Sequence, residues 1–265
     1  MDLGLRDRVA IIGGSSRGIG RAIAMAFAQE GASVTICART EADLRRTEIE
    51  LARIGSQHHV LAIPADLSDS RDIRRVVRDT INRFGQVGIM VTHVGFGPPG
   101  RSSEFSDETI MEAMEQNFLS AIRLTREVTP YMKQQRWGRI VHLLPILARR
   151  RSDGTALSAS SQLALVGYSK MLANELAPFN ITVNNVMCGP IQTAFLNSVL
   201  ESRAQEGGRS AQDLERETVA DIPMRRLGKP EEVAALVAFL ASDRATYMTG
   251  TSVVIDGGML QTMNT

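Results

Sequence analysis

The chain has 265 residues, with 30 Lys and Arg against 29 Asp and Glu; that length suits a single domain with a sizeable core. The near-cancelling charge excludes bulk attraction to nucleic acid or to an anionic membrane. The two cysteines, Cys37 and Cys188, lie far apart and outside any CxxC, which excludes a disulfide framework or zinc site and suits a reducing compartment.

The start, "MDLGLRDRV", lacks the pattern of a secretory signal, and no apolar run reaches the ~18 residues that span a bilayer. A cytoplasmic protein is the expectation. Along the chain, β-branched runs at 8–13, 33–38, 58–63, 88–93, 139–144, 181–186 and 252–256 read as strands. Apolar spacing near 3.6 marks helices over 19–30, 41–54, 70–84, 107–135, 156–177 and 230–241. Such alternation predicts an α/β fold, a doubly wound parallel sheet with helices on both faces. Ser68 or Ser70 is the expected cap of 70–84, Ser106 caps the helix from 107, and Pro230 stands in a first turn. Residues 189–228 lack a strand; helices over 194–206 and 210–220 are expected there, in a lid over a ligand site.

The stretch "IIGGSSRGIGRAIA" joins the first strand to the first helix. Gly14, Gly18 and Gly20, with Ser16, Arg17 and Ile19 between them, give a turn through which backbone approaches a pyrophosphate. Strand before and helix after make this a dinucleotide-binding turn. An NAD site places an acid at the end of the second strand; here stand Ala38 and Arg39. Arg39 and Arg17 suit a 2′-phosphate, so NADP(H) is the expected cofactor.

With "GGSSRGIG", "PADLSD", "NFLSAIRLT", "GRIVHLL", "ELAPFNITVNNVMCGPIQT" and "GKPEEVAALVAFLASDRATYMTGTSVVIDGG", nearly the whole chain resembles the short-chain dehydrogenase/reductase family, most closely its 3-oxoacyl-ACP-reductase-like members. The resemblance implies a Rossmann-type, seven-stranded single domain over 1–265. It places Asp66 and Leu67 at the adenine, and Gly189, Ile191 and Thr193 around the nicotinamide. It also implies a homodimer or homotetramer through helices 107–135 and 156–177, with Ile122, Leu165 and Leu172 serving association.

The family's reaction uses Asn, Ser, Tyr and Lys. Asn117 in "EQNFLSA" matches the first, but Pro145 stands for the serine, Ser158 for the tyrosine and Gln162 for the lysine. Tyr168 and Lys170 tempt the eye. Two positions apart on a helix, they face different ways, and the downstream register forbids the slide. The usual "NNAG" reads "THVG", in which Gly95 survives, and Gly13 replaces a threonine. His93 is a candidate acid at a strand end; the favoured reading is a histidine filling the space of the missing asparagine. His142 reads as core. "ARRRSDG" at 148–154 is either a solvated loop or a contact for an anionic substrate such as a CoA or acyl-carrier thioester.

Three functions follow. One is an NADP(H)-dependent oxidoreductase of a small carbonyl or hydroxyl substrate, with Asn117, Ser158, Gln162 and His93 as a non-standard acid–base set. Another is a catalytically silent cofactor-binding or partner subunit. The third is non-redox chemistry in the same cleft.

Overall fold

The computed structural model describes residues 2–55, 57–93, 95, 97–146, 149 and 154–261. In chain order these form β1 (Val9–Gly13), α1 (Gly18–Gln29), β2 (Ser33–Ala38), α2 (Glu41–Gly55), β3 (Val60–Pro64), α3 (Ser70–Phe84) and β4 (Ile89–His93). There follow α4 (Asp107–Met114), α5 (Ser120–Gln135), β5 (Gly138–Pro145), α6 (Ala156–Leu176) and β6 (Ile181–Cys188). Helices α7 (Ala194–Gly207) and α8 (Ala211–Ala220) precede α9 (Pro230–Leu240) and β7 (Ser252–Ile255).

The seven strands form one parallel sheet in the order β3-β2-β1-β4-β5-β6-β7. The order reverses between β1 and β4, where a doubly wound sheet opens a crevice beyond its strand ends. Alternation along each strand sorts the core. Val91, Val141 and Leu143 join α1, α2 and α9 on one face, and Met90, Ile140 and Val183 join α3, α5 and α6 on the other. All eight residues of β5 and all eight of β6 are buried, as expected for strands covered on both faces.

Several expectations change at the residue level. Asp69 caps α3, accepting from the Arg71 N–H at 2.8 Å, in place of Ser68 or Ser70. Ser106 caps α4 as expected, and Pro230 opens α9. The helix expected over 107–135 contains a π-helical turn, Glu115–Leu119, between α4 and α5. Leu165 and Leu172 are 0% and 8% exposed within the chain's own core, and Ile122 lies against the Leu165 cluster. Leu165 and Leu172 are therefore packing residues. The outward apolar side chains on these helices are Ile110, Met111, Tyr131, Leu163 and Met171. No helix among the described residues is long and apolar enough to cross a membrane.

Candidate active site

The loop after β1 is stitched to the sheet by Ser15. Its buried hydroxyl donates to the Ile12 carbonyl (2.7 Å) and accepts from the Cys37 N–H (3.0 Å). From α2, Thr47 donates to the Ser16 carbonyl (2.9 Å). Gly14 turns with φ +65°, and a Cβ on Gly20 would stand 2.4 Å from the Gly14 oxygen, so the turn closes only around glycine at that position. Arg17 occupies the cap position of α1 without a capping side-chain bond. The helix thus offers its first N–H groups and dipole to an anion. Arg17 and Arg39 are exposed, and neither has an ion pair among the described residues; Arg21, by contrast, is committed to Glu50. A cradle for a pyrophosphate flanked by two uncommitted guanidiniums fits NADP(H).

Around this cradle the remaining expected contacts find their places. Asp66, beyond β3, accepts from the Ser68 N–H (2.9 Å) and hydroxyl (2.7 Å). A Cβ on Gly13 would fall 2.7 Å from Leu67 Cδ1, so Leu67 occupies the space that a threonine at position 13 would need. Gly189 crosses tightly over Asp256, whose Cα would be 2.8 Å from an added Cβ. Thr193 caps α7 by accepting from the Leu196 N–H (3.2 Å), and its methyl would lie 3.4 Å from a Cβ on Gly18. The start of α7 therefore lies beside the phosphate turn. The Gln192 N–H donates to the Gly228 carbonyl (2.8 Å) and the Gly228 N–H to that of Pro190 (3.0 Å), tying the two ends of the 189–228 excursion together.

The positions of the family's reacting side chains lie on the other face of the sheet, against α5 and α6. Asn117 sits in the π-helical turn, buried, and its Nδ2 donates to Ser161 Oγ (3.1 Å). Ser158 is 2% exposed, and its Oγ accepts the Gly97 N–H at 2.8 Å. Gln162 is buried and donates through Nε2 to the Gly95 carbonyl (3.3 Å). Together Ser158 and Gln162 fasten the segment after β4 to α6. The Asn117 Oδ1 and Gln162 Oε1 atoms are buried without a partner among the described residues. Pro145 ends β5 opposite Cys188. Tyr168 meets Phe118 edge-on, with ring centroids 6.1 Å apart, and Lys170 donates to the Gly250 carbonyl (2.9 Å). Neither joins the Asn117 group. Ser161 was not apparent in the sequence, since nothing in "LSASSQ" separates it from its serine neighbours.

The two strand histidines differ in surroundings. His142 is fully buried on β5, shares a 2.7 Å hydrogen bond with Thr92 through Nδ1, and has no partner at Nε2 among the described residues. Desolvation pulls its pKa from 6.5 down to about 4. His93, one residue past Thr92, projects to the opposite, α1 face. A Cβ on Gly14 would lie 3.6 Å from its Cβ and 3.7 Å from its Nδ1. Its imidazole opens onto the cleft, while the protein around it holds its pKa below the ordinary value through desolvation. Of the 148–154 run, only Arg149 and Gly154 belong to the described residues.

Known proteins extend this geometry. Residues 14–260 match the family model described as enoyl-(acyl carrier protein) reductase. The chain is 34% identical to dehydrogenase/reductase SDR family member 4 of Oryctolagus cuniculus, covering 96% of this chain and 94% of the relative. It is 31% identical to the 3-oxoacyl-[acyl-carrier-protein] reductase of Vibrio cholerae, over 97% and 99% of the two chains. L-sorbose reductase from Gluconobacter frateurii, solved with NADPH and L-sorbose, superposes with a TM-score of 0.93 at 32% identity, over 99% and 100% of the chains. The cradle at the β1–β4 crevice, the seven-stranded order and these full-length similarities lead to one assignment: the chain belongs to the short-chain dehydrogenase/reductase family.

Proposed function

We propose that the chain is an NADP(H)-dependent oxidoreductase of a carbonyl or hydroxyl substrate resembling a 3-oxoacyl thioester, working without the family's tyrosine and lysine. The observation that carries this reading is the complete cofactor cradle beside two uncommitted arginines. Its named relatives include a 3-oxoacyl-[acyl-carrier-protein] reductase and an NADPH-bound sugar reductase. The bound dinucleotide supplies or accepts the hydride. The α1 N–H groups and the Gly14, Gly18 and Gly20 backbone hold its pyrophosphate, with Ser16 and Ile19 completing the turn. Arg17 and Arg39 hold the 2′-phosphate; Asp66 and Leu67 flank the adenine. Gly95, Gly189, Ile191 and Thr193 border the nicotinamide end, and the 189–228 lid excludes water.

The proton step is where this chain differs. Ser158 and Gln162 spend hydrogen bonds on the segment after β4, so the carbonyl oxygen exchanges its proton with water held near Asn117. General acid–base help is typically worth ~10²–10⁴-fold in rate, and a chain without it turns over slowly. The same two bonds favour a second reading, a cofactor-binding subunit that performs no reduction.

Equilibrium titration with NADPH and NADH tests the first step. NADPH-selective binding is expected, weakened in Arg17→Ala and Arg39→Ala; absence of binding by either dinucleotide overturns the oxidoreductase reading. A 3-oxoacyl thioester screen then separates the readings. Slow wild-type turnover, increased in the Ser158→Tyr/Gln162→Lys double variant, supports the enzyme. Turnover found only in that variant supports the silent subunit.

A further inference from the structure

The sheet places its two substituted strand-end residues on opposite faces. Thr92 faces α5 and α6 through its bond to His142. His93 stands on the α1 face, beside Gly14 and the phosphate turn. It is thus on the far side of the sheet from Asn117, Ser158 and Gln162, and poorly placed to protonate a substrate there. On its own side it stands beside the phosphate turn, where the α1 amino terminus and Arg17 favour an anion.

We propose that His93 is a proton-linked contact for the cofactor's phosphate backbone: neutral in the free protein, it takes up a proton as the dinucleotide binds. The inference rests on the reading of this cleft as an NADP(H) site and adds a pH dependence to it.

Each element around His93 supports this. The phosphate turn contributes the Arg17 cation and α1 contributes the positive end of its dipole. β2 ends at Arg39. From β5, the residue in register is the apolar Leu143. Beyond β3, Asp66 is occupied with Ser68. Thr193, which caps α7 beside the phosphate turn, is uncharged. The imidazole has no hydrogen-bond partner among the described residues. Desolvation opposes an imidazolium in the free protein. Entering phosphates reverse that balance, because an opposite charge within ~4–6 Å favours the charged form. An asparagine at this position cannot titrate.

Calorimetric titration with NADPH in buffers of different ionisation enthalpy counts the protons taken up on binding. From pH 8 to pH 6 the wild-type affinity is expected to rise by up to about tenfold per pH unit more than in His93→Asn, the limit for one linked proton. His93→Gln serves as a second neutral variant. Protons taken up by the cofactor's own 2′-phosphate are common to all three proteins and cancel. Equal proton uptake and equal pH slopes in all three overturn the role of His93 while leaving the cofactor reading intact. Failure of the wild type to bind NADPH overturns both.

Discussion

Ser158 illustrates how one side chain can keep its place and change its task. Its buried hydroxyl accepts the Gly97 N–H, and a buried donor left without a partner costs about 1–3 kcal/mol. Ser158→Ala is therefore expected to lower the unfolding free energy by about that amount, read from the urea midpoint at unchanged slope. The exposed neighbour Ser160, changed to Ala, should leave it within about 0.5 kcal/mol. His142 yields a pH prediction of definite sign. Its folded pKa, about 4, lies below the ordinary 6.5, so above pH 6.5 both states are neutral and it costs nothing. As the pH falls from 6.5 towards 4, the unfolded chain takes up the proton first and stability drops, by roughly 3 kcal/mol in all. Below pH 4 this loss stops growing. Replacing His142 with Asn should flatten that part of the stability–pH curve, measured by denaturant melts at half-unit steps; an unchanged curve would mean that His142 is not the titrating group.

At the scale of the element, the first βα turn is the most constrained part of the site. Gly20→Ala would drive a methyl to 2.4 Å from the Gly14 oxygen, and that obstacle is backbone. The turn must open. NADPH affinity is expected to fall at least tenfold in a fluorescence titration, with the far-ultraviolet circular dichroism unchanged. Retained affinity would show that the turn accommodates the methyl. The constraint was legible in the sequence because it is local: strand, spaced glycines and helix lie within one short stretch, and period-2 and period-3.6 patterns mark the elements around it. The fate of Ser158 was not legible in that way. Its partner, Gly97, is 61 residues away, and a serine carries no mark of which N–H it will meet. The same holds for Leu165 and Leu172, expected to serve association: an apolar helical position does not declare whether its partner is its own sheet or another subunit. The π-helical turn at Asn117 was missed because a one-residue bulge hardly disturbs the helical period.

For the whole molecule, the question is what covers the outer face of α6. Leu163, Gly167 and Met171 follow one another at four-residue intervals, so they form one stripe along the helix. Leu163 is 52% and Met171 70% exposed, and a Cβ on Gly167 would meet nothing within 4 Å. The bare glycine between two exposed apolar side chains leaves room for another helix to approach closely. The α4 side chains Ile110 and Met111 and Tyr131 of α5 add exposed apolar surface on the neighbouring helices. A second copy related by a two-fold axis would bring the α6 stripe against itself, because such an interface is self-complementary. Met171→Glu would then put a charge at each end of that apolar contact, where desolvation opposes it. Light scattering coupled to gel filtration is expected to find an oligomer for the wild type and a smaller species for Met171→Glu. The thermal midpoint should become concentration-dependent only in the wild type, since association stabilises the folded state by mass action. A wild-type chain that elutes as a monomer at every concentration would mean that the α6 stripe stays exposed to solvent.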